Sequence, residues 1–373
     1  MNGPTDENDK SKGKTICLAD IAGIHVGHST EPSALTGCTA VVFPEGAVAG
    51  HVAWGTATGT RELEALTPRH MVDRIHGICL CGGSAFGLAA ASGVARRLEA
   101  EDIGHATAAG KVPIVAGAVV YDLNLGDSSV RPDEGMGERA AQQALTESSR
   151  ASGNIGAGTG VSAGKLLAVS CATKTGLGNG GVATDEGLQV AALAVVNPVG
   201  DVLDPQTGAI LAGAREGPGS RKLADTAAVI RAGARCEPLH QHNTTLCVVG
   251  TNAALTRVQA RWVAEQALVA LARLIDPPFT LHDGDVVFCV STGDHQAELH
   301  RVGLLARDAT AAAIVDACLS AEPAGDLPSA RTLGRRKEPS RQTATLRFNM
   351  PKSPGGAVRR RTATKPKLKP EKD

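Results

Sequence analysis

The run Asn243-Thr244-Thr245-Leu246-Cys247-Val248-Val249 decides how this chain is read. A polar pair opens it and an apolar, β-branched stretch follows, the pattern of a buried strand. Its first hydroxyl residue comes directly after the loop Cys236–Asn243. A cut before Thr244 would leave that residue's α-amine beside its own hydroxyl. Such an amine titrates at about pH 7.7–8, so it can take a proton where most side chains cannot. On spacing alone, the plain alternative is an Asn-Thr turn leading into a strand.

Outward from that run, short β-branched segments alternate with alanine-rich stretches. The pattern predicts strands at Cys38–Phe43, Val48–Val52, Gly77–Cys81, Pro113–Tyr121, Leu167–Ala172, Val190–Val196, Thr244–Val249 and Asp285–Val290. It predicts helices at Ser84–Ala100, Glu138–Ser148, Lys222–Ala232, Leu255–Leu274 and Asp294–Ser320. In the helix from Leu255, Val258, Trp262, Leu268, Val269 and Leu271 recur at near-helical spacing, with Thr256 or Asn252 as a cap. Gly303 weakens the expectation that the last helix is unbroken. This alternation gives an α/β or α+β class with buried sheets and one globular unit over residues 15–322.

Composition narrows the possibilities. The 373 residues include 44 Gly and only eight aromatic residues, so Ala, Val, Leu and Ile must build the core. No apolar run reaches the roughly 18–20 residues of a membrane span, and residues 1–14 read as a disordered polar leader without signal-peptide character. The expected location is the cytoplasm. Net charge is zero, yet residues 331–373 hold 14 Lys and Arg against 3 Asp and Glu. The body is therefore acidic, and residues 323–373 read as a disordered basic tail. Such a tail is more often solvated or laid against its own acidic body than bound to nucleic acid or anionic lipid, and nucleic acid is not expected as a partner apart from it. Nine cysteines in apolar contexts read as reduced core residues, and Cys79-x-Cys81 lacks a second pair for zinc.

Glycine-rich motifs need sorting. In Gly156-Ala-Gly158-Thr-Gly160-Val-Ser162-Ala-Gly164-Lys165-Leu166, a phosphate-cradling loop fails because Thr159 and Leu166 stand where Gly and a hydroxyl residue belong. A dinucleotide loop fails because no strand leads into it. Gly160-Val-Ser162-Ala-Gly164 spells a nucleophile elbow, which would make Ser162 the nucleophile of an α/β-hydrolase esterase if a strand preceded it. Gly82-Gly83-Ser84 reads as a strand-to-helix turn with Ser84 as cap.

Several ordered motifs together resemble the DmpA-type family of L-aminopeptidase/D-Ala-esterase/amidases. They are Leu18-Ala-Asp20-Ile-Ala-Gly23-Ile-His25-Val-Gly27-His28, Gly82-Gly83-Ser84-Ala-Phe86-Gly87-Leu88, Val119-Val120-Tyr121-Asp122, Gly158-x-Gly160-x-x-Ala163-Gly164-Lys165, Val195-Val196-Asn197-Pro198-Val199-Gly200, Asn243-Thr244-Thr245 and Asp283-Gly284-Asp285. The resemblance implies an αββα four-layer sandwich of the DmpA/ornithine acetyltransferase-like type. It also implies self-cleavage between Asn243 and Thr244, with the pieces staying together and assembling as a homo-oligomer. The Asn-Thr junction is similar to that of the nylon-oligomer hydrolase branch, whereas the aminopeptidase branch has Gly-Ser. Neither a cofactor nor a metal is implied.

The matching positions take roles from this resemblance. Thr244 would be the nucleophile and Lys165 a proton acceptor or electrostatic support, where a surface lysine is the plain reading. Asn197 and Tyr121 would donate to the oxyanion; otherwise they are an Asn-Pro turn and a core edge. Asp283 and Asp285 sit two apart, so on a strand they face one side and raise one another's pKa, orienting Thr244 or binding an amine. A solvated turn is the alternative there. His240 and His242 would tune processing or simply solvate the linker. The expected substrates are short peptides, amino-acid amides or linear ω-amino amides. A non-catalytic member of the fold with a nucleic-acid-binding tail is the competing reading from another class.

Overall fold

The structure, a computed structural model, describes residues 13–234 and 243–334. His240, His242, Cys236, the leader to residue 12 and the basic segment from 335 lie outside the described residues. The principal strands are β1 His25–Glu31, β2 Thr36–Ala53, β3 Ile75–Cys81, β4 Val115–Val119, β5 Leu177–Ala183, β6 Gln189–Asn197, β7 Thr244–Ala253 and β8 Val286–His295. The principal helices are α1 Ala89–Ala100, α2 Glu134–Thr146, α3 Arg257–Leu274 and α4 Leu299–Leu319.

One long strand organises the layers. The first half of β2 pairs antiparallel with β1 and β3, and β3 runs parallel to β4. Its register shifts between Val42 and Ala47, across Pro44-Glu45-Gly46, and the second half pairs antiparallel with β8. From there the sheet continues β8–β7 parallel, β7–β6 antiparallel and β6–β5 antiparallel. The sheet thus folds over on itself. Val41, Ile78, Leu80, Leu193, Val195, Leu246, Val248 and Phe288 fill the space between the two halves. Helices α1 and α2 cover one outer face, over Cys38, Ala40, Cys79 and Cys81. Helices α3 and α4 cover the other, over Val190, Ala192, Cys247 and Val287. The result is the expected αββα sandwich.

Small residues set how closely the layers approach. The buried face of α3 runs through Ala260, Val263, Ala264, Ala267, Ala270, Leu271 and Leu274, while Val258 is 62% exposed and Val269 42%. Of the residues picked out at helical spacing Leu271 is buried, while Val258 and Val269 stay outside and four alanines carry much of the contact. Thr256 caps the helix: its Oγ1 accepts from Gln259 N–H at 3.3 Å, and Gln259 Oε1 accepts from Thr256 N–H at 2.8 Å. Helix α4 is unbroken at Gly303, where a Cβ would stand 2.6 Å from the Trp262 ring of α3. That glycine serves the crossing of the two helices. The eight described cysteines are free and buried, with Cys79 and Cys81 Sγ 3.3 Å apart on one face of β3.

Several expectations are corrected. Leu167–Ala172 is no strand; a 3-10 turn spans Val169–Cys171. The Arg215 side chain takes the carbonyls of Ser170 and Ala172 at 2.5 and 3.2 Å, and its N–H takes that of Cys171 at 2.8 Å. Those acceptors are spent on arginine rather than on a ladder. The Lys222–Ala232 helix shrinks to Thr226–Arg231, because Asp225 caps it at Ala228 and Asp201 holds Thr226. Ser84 has a positive φ of 54° and caps nothing; α1 is preceded by a 3-10 turn over Ser84–Leu88. Helix α2 begins earlier than expected, at Glu134, capped by Asp133 through Met136 N–H at 2.8 Å. Strands β1 and β5 were not expected. The proposed tail boundary also moves. Leu327, Ser329 and Ala330 are buried, and Pro328 O accepts from Lys174 N–H at 2.9 Å. At the other end, Lys14, the last residue of the expected leader, pairs with β5 together with Thr15. Among the described residues, no helix is long and apolar enough to cross a membrane.

Strand β5 is glycine-rich because α4 lies directly on it. A Cβ at Gly178 would overlap the Ala313 carbonyl oxygen and the Ala317 backbone nitrogen. Gly178→Val should therefore destabilise by about 3 kcal/mol, at the upper end of overpacking effects. Gly219→Ala, which meets nothing within 4 Å, should stay within about 0.5 kcal/mol of wild type. Urea midpoints of the two variants check the contrast.

Candidate active site

At one end of the folded sheet, β6 stops and β7 starts. Asn197, the last residue of β6, stands opposite Thr244, the first of β7, in antiparallel register. The turn before β8 lies on the other side of Thr244. There Asn243 N–H donates to His282 O at 2.9 Å, and Gly284 N–H donates to Asn243 O at 2.8 Å. The Thr244 hydroxyl donates to the same Asn243 oxygen. The carbonyl of the Asn243–Thr244 peptide thus accepts from a fixed backbone N–H and from the hydroxyl next to it. Both residues are buried.

Asn197 spends its amide on three neighbours. Oδ1 accepts from Ser162 N–H at 3.1 Å and from Lys165 Nζ at 2.9 Å, while Nδ2 donates to the Tyr121 carbonyl at 3.1 Å. One Nδ2 proton goes to Tyr121, which leaves the second for an incoming oxyanion. The Asn-Pro turn reading is therefore insufficient: this amide ties together three segments of chain. Tyr121 is half-buried and lines the cleft beside it.

Lys165 is no surface lysine. It is buried, and its ammonium donates to Ser162 O, Asn197 Oδ1 and, at 3.2 Å, Asn197 O. Burial pulls its pKa down to about 7; the Asp283 carboxylate pulls the other way, and Lys174 adds to the depression. The preceding turn sets this depth. Gly164 N–H donates to Gly200 O at 3.0 Å and Lys165 N–H to Val199 O at 3.2 Å. Gly164 has φ +77°, and a Cβ there would overlap the Ala214 backbone nitrogen. The glycine that completes the elbow spelling is needed for this close approach instead.

The two aspartates hold different segments around Thr244. Asp283 accepts from Val199 N–H at 3.2 Å and from Thr280 N–H and Oγ1 at 2.9 and 2.6 Å. Asp285 accepts from Thr245 N–H at 2.6 Å. Burial raises the Asp283 pKa. Burial and then the Asp283 charge raise that of Asp285 well above the carboxylate range. They form a buried clamp rather than a solvated turn. Among the described residues, no three His, Cys, Asp or Glu side chains gather as a metal-ligand set.

Ser162 is brought to the same place but not as a nucleophile elbow. A 3-10 turn at Gly156–Gly158 precedes it where a strand is required, and its N–H serves Asn197. Sequence reasoning missed Lys174 and assigned no role to Asp122. Lys174 is fully buried, donates to Gly158 O at 3.3 Å and to Thr175 O, and burial pulls its pKa to about 7 against the Asp122 charge. Asp122 accepts from Thr36 Oγ1 at 2.7 Å and Gly83 N–H at 2.6 Å. The only local signal for Lys174 was a lysine in the small-residue run Cys171-Ala-Thr-Lys174-Thr-Gly176. A small cleft opens here, lined by Tyr121, Asp122, Ser162, Lys165, Asn197 and Asn243 among others.

Comparison with known proteins bears on the family and the fold. The profile of peptidase family S58 matches residues 17–328. An uncharacterized aminopeptidase of Mycobacterium leprae is 36% identical over 347 residues, covering 84% of this chain and 92% of the relative. A 6-aminohexanoate-oligomer endohydrolase of Paenarthrobacter ureafaciens is 30% identical over 290 residues, covering 76% of this chain and 77% of the relative. Among solved structures, the L-aminopeptidase D-Ala-esterase/amidase of Ochrobactrum anthropi, described as a variant of the Ntn-hydrolase fold, superposes with a TM-score of 0.61 at 18% identity. It covers 84% of this chain and 90% of that one. A Burkholderia sp. beta-aminopeptidase superposes at 0.62 and 20% identity, covering 87% and 94%.

The buried lysines give a stability test. Lys174 has a folded pKa near 7 against 10.5 for a free side chain. Between those values the unfolded chain binds the extra proton, so folding stability rises with pH. Lys174→Met removes this term. Its stability relative to wild type should therefore fall by roughly 1 kcal/mol per pH unit above 7. Urea unfolding at pH 7 and 9 measures it; a pH-independent difference contradicts the neutral lysine.

Proposed function

The chain belongs to peptidase family S58 and is an amide and peptide hydrolase; we propose that it makes its own nucleophile by cutting between Asn243 and Thr244. The observation that carries this reading is the Thr244 hydroxyl resting on the Asn243 carbonyl, which also accepts from Gly284 N–H. Thr244 Oγ attacks the carbonyl carbon, and Lys165, whose pKa lies near 7 and whose Nζ is held by Asn197 opposite Thr244, takes the hydroxyl proton. Gly284 N–H holds the oxyanion. The C–N bond breaks, the proton passes to the released Thr244 amine, and water splits the resulting ester to free the Asn243 carboxylate.

In the processed enzyme, Thr244 attacks an external amide, with its own α-amine or Lys165 as proton acceptor. Asn197 and Tyr121 donate to the oxyanion, and Asp283 with Asp285 fixes the strand start that carries the nucleophile. The substrates are short peptides, amino-acid amides or linear ω-amino amides. The relatives named as an aminopeptidase and as a 6-aminohexanoate-oligomer endohydrolase support that range.

Intact-mass analysis and N-terminal sequencing test the cut. Two polypeptides of 243 and 130 residues are expected, the smaller beginning at Thr244. Thr244→Ala should remain one chain, and Thr244→Ser should still divide. Lys165→Met should slow division by about 10²–10⁴-fold, the usual contribution of a proton acceptor. In wild type the rate should rise about tenfold per pH unit up to pH ~7 and then level off. A flat profile would remove Lys165 from the step.

A further inference from the structure

Asn243 carries a side-chain amide that no hydrogen bond holds. Among the described residues neither its Oδ1 nor its Nδ2 has a partner, and the residue is fully buried. Buried polar groups are nearly always paired, so an orphaned amide calls for a reason. A loose backbone is not that reason. Asn243 N–H donates to His282 O at 2.9 Å, and its carbonyl oxygen accepts from Gly284 N–H at 2.8 Å. The Thr244 hydroxyl donates to the same oxygen. One residue thus combines a carbonyl held for attack with an amide that can turn without breaking a hydrogen bond.

The amide is also within its own carbonyl's reach. Only Cγ, Cβ and Cα separate Nδ2 from the carbonyl carbon, so a bond between them closes a five-membered ring. Well-oriented intramolecular attack behaves as a reactant present at about 10⁵–10⁸ M. Water has to enter instead, and Asn243 and Thr244 are both buried. On the Gly284 side the space is filled by backbone: a Cβ there would stand 2.4 Å from Ala57 O and 3.0 Å from Thr244 Oγ1. We propose that the Asn243 amide nitrogen, not water, breaks the ester formed on Thr244 Oγ, releasing the larger piece with a C-terminal succinimide that water opens afterwards.

The inference rests on the self-cleavage reading and replaces only its closing hydrolysis. Nδ2 bonds to the Asn243 carbonyl carbon, and the bond from that carbon to Thr244 Oγ breaks. The Nδ2 proton passes to the departing Oγ by way of the Thr244 amine, which the acyl shift has just freed beside it. Gly284 N–H, already on the carbonyl oxygen, supports the oxyanion a second time. Water then adds to either carbonyl of the imide and the ring C–N bond opens. One direction restores asparagine, and the other leaves isoasparagine, which direct hydrolysis of the ester cannot form.

Intact-mass analysis of freshly synthesised full-length chain, quenched in acid as it divides, tests the step. The larger piece should first appear lighter by one water than residues 1–243 ending in a carboxylate. After ageing in mild alkali, tandem mass spectrometry should find both asparagine and isoasparagine at its end. A larger piece that never lacks the water and ends in asparagine alone overturns the proposal while leaving Thr244 as the nucleophile. Asn243→Ala removes an amide that has no partner, so the fold should persist. Its division should slow about tenfold or more, and neutral hydroxylamine, which splits esters, should restore the two pieces. Division of Asn243→Ala at the wild-type rate likewise sinks the proposal. Division of Thr244→Ala into the same two pieces would instead remove the reading on which the step rests.

Discussion

The pairing of Asn197 with Thr244 is the contact on which the site depends. Antiparallel register between β6 and β7 puts the last residue of one strand against the first of the next. From that point the Asn197 amide reaches Ser162 and Lys165 on one side and Tyr121 on the other. A slip of one residue would turn every side chain of the strand to the opposite face. The cleft lining would then lose its link to Thr244. Register is secured by packing on both faces: Leu193 and Val195 enter the space between sheets, while Ala192 and Ala194 lie beneath α3 and α4.

Burial gives the charged groups their chemistry. Two lysines lie inside the molecule, held by carbonyl oxygens rather than by direct ion pairs. Desolvation disfavours the ammonium, and neighbouring aspartates only partly restore it. The same environment favours the protonated forms of Asp283 and Asp285. Loops that would otherwise be loose are fastened by buried polar side chains. Arg215 gathers carbonyls from residues 170–172 and 217–220, and Asp201 binds Ala214 and Thr226. These ties hold Ala214 against Gly164, and so keep Lys165 at depth.

Much of this was legible in the sequence, for identifiable reasons. Thr244, Asn197 and the Asp283–Asp285 pair stand at strand ends, where a polar residue against an apolar run is a local signal. The central strands were legible because they are buried on both faces. Strand β5 was not, since its glycines are dictated by α4, far along the chain. Only part of the buried face of α3 was legible: Leu271 is on it, but Ala260, Ala264, Ala267 and Ala270 carry much of the contact while Val258 and Val269 remain outside. The depth of Lys165 depends on Gly164 meeting Ala214, and that of Lys174 on the segment near Pro328. Neither proximity has a spacing to reveal it. Arginine capture of carbonyls likewise unmade the expected strand at Leu167–Ala172.

Thr244 begins an interior strand, and that position has a consequence for assembly. Strand β7 lies between β6 and β8, and β8 in turn pairs with β2. A cut at its first residue yields a smaller piece whose two strands are inserted into the larger piece's sheet, with α3 and α4 forming an outer layer. Each piece alone would expose open sheet edges and an uncovered apolar face. Folding must then come first, as the act of one chain, and cutting second. Once divided, a denatured molecule becomes a two-body problem: recovery depends on concentration, and the covalent memory of which partner belongs to which is gone. The cut would work as a ratchet, making an enzyme that is assembled once and afterwards protected chiefly by how slowly it opens.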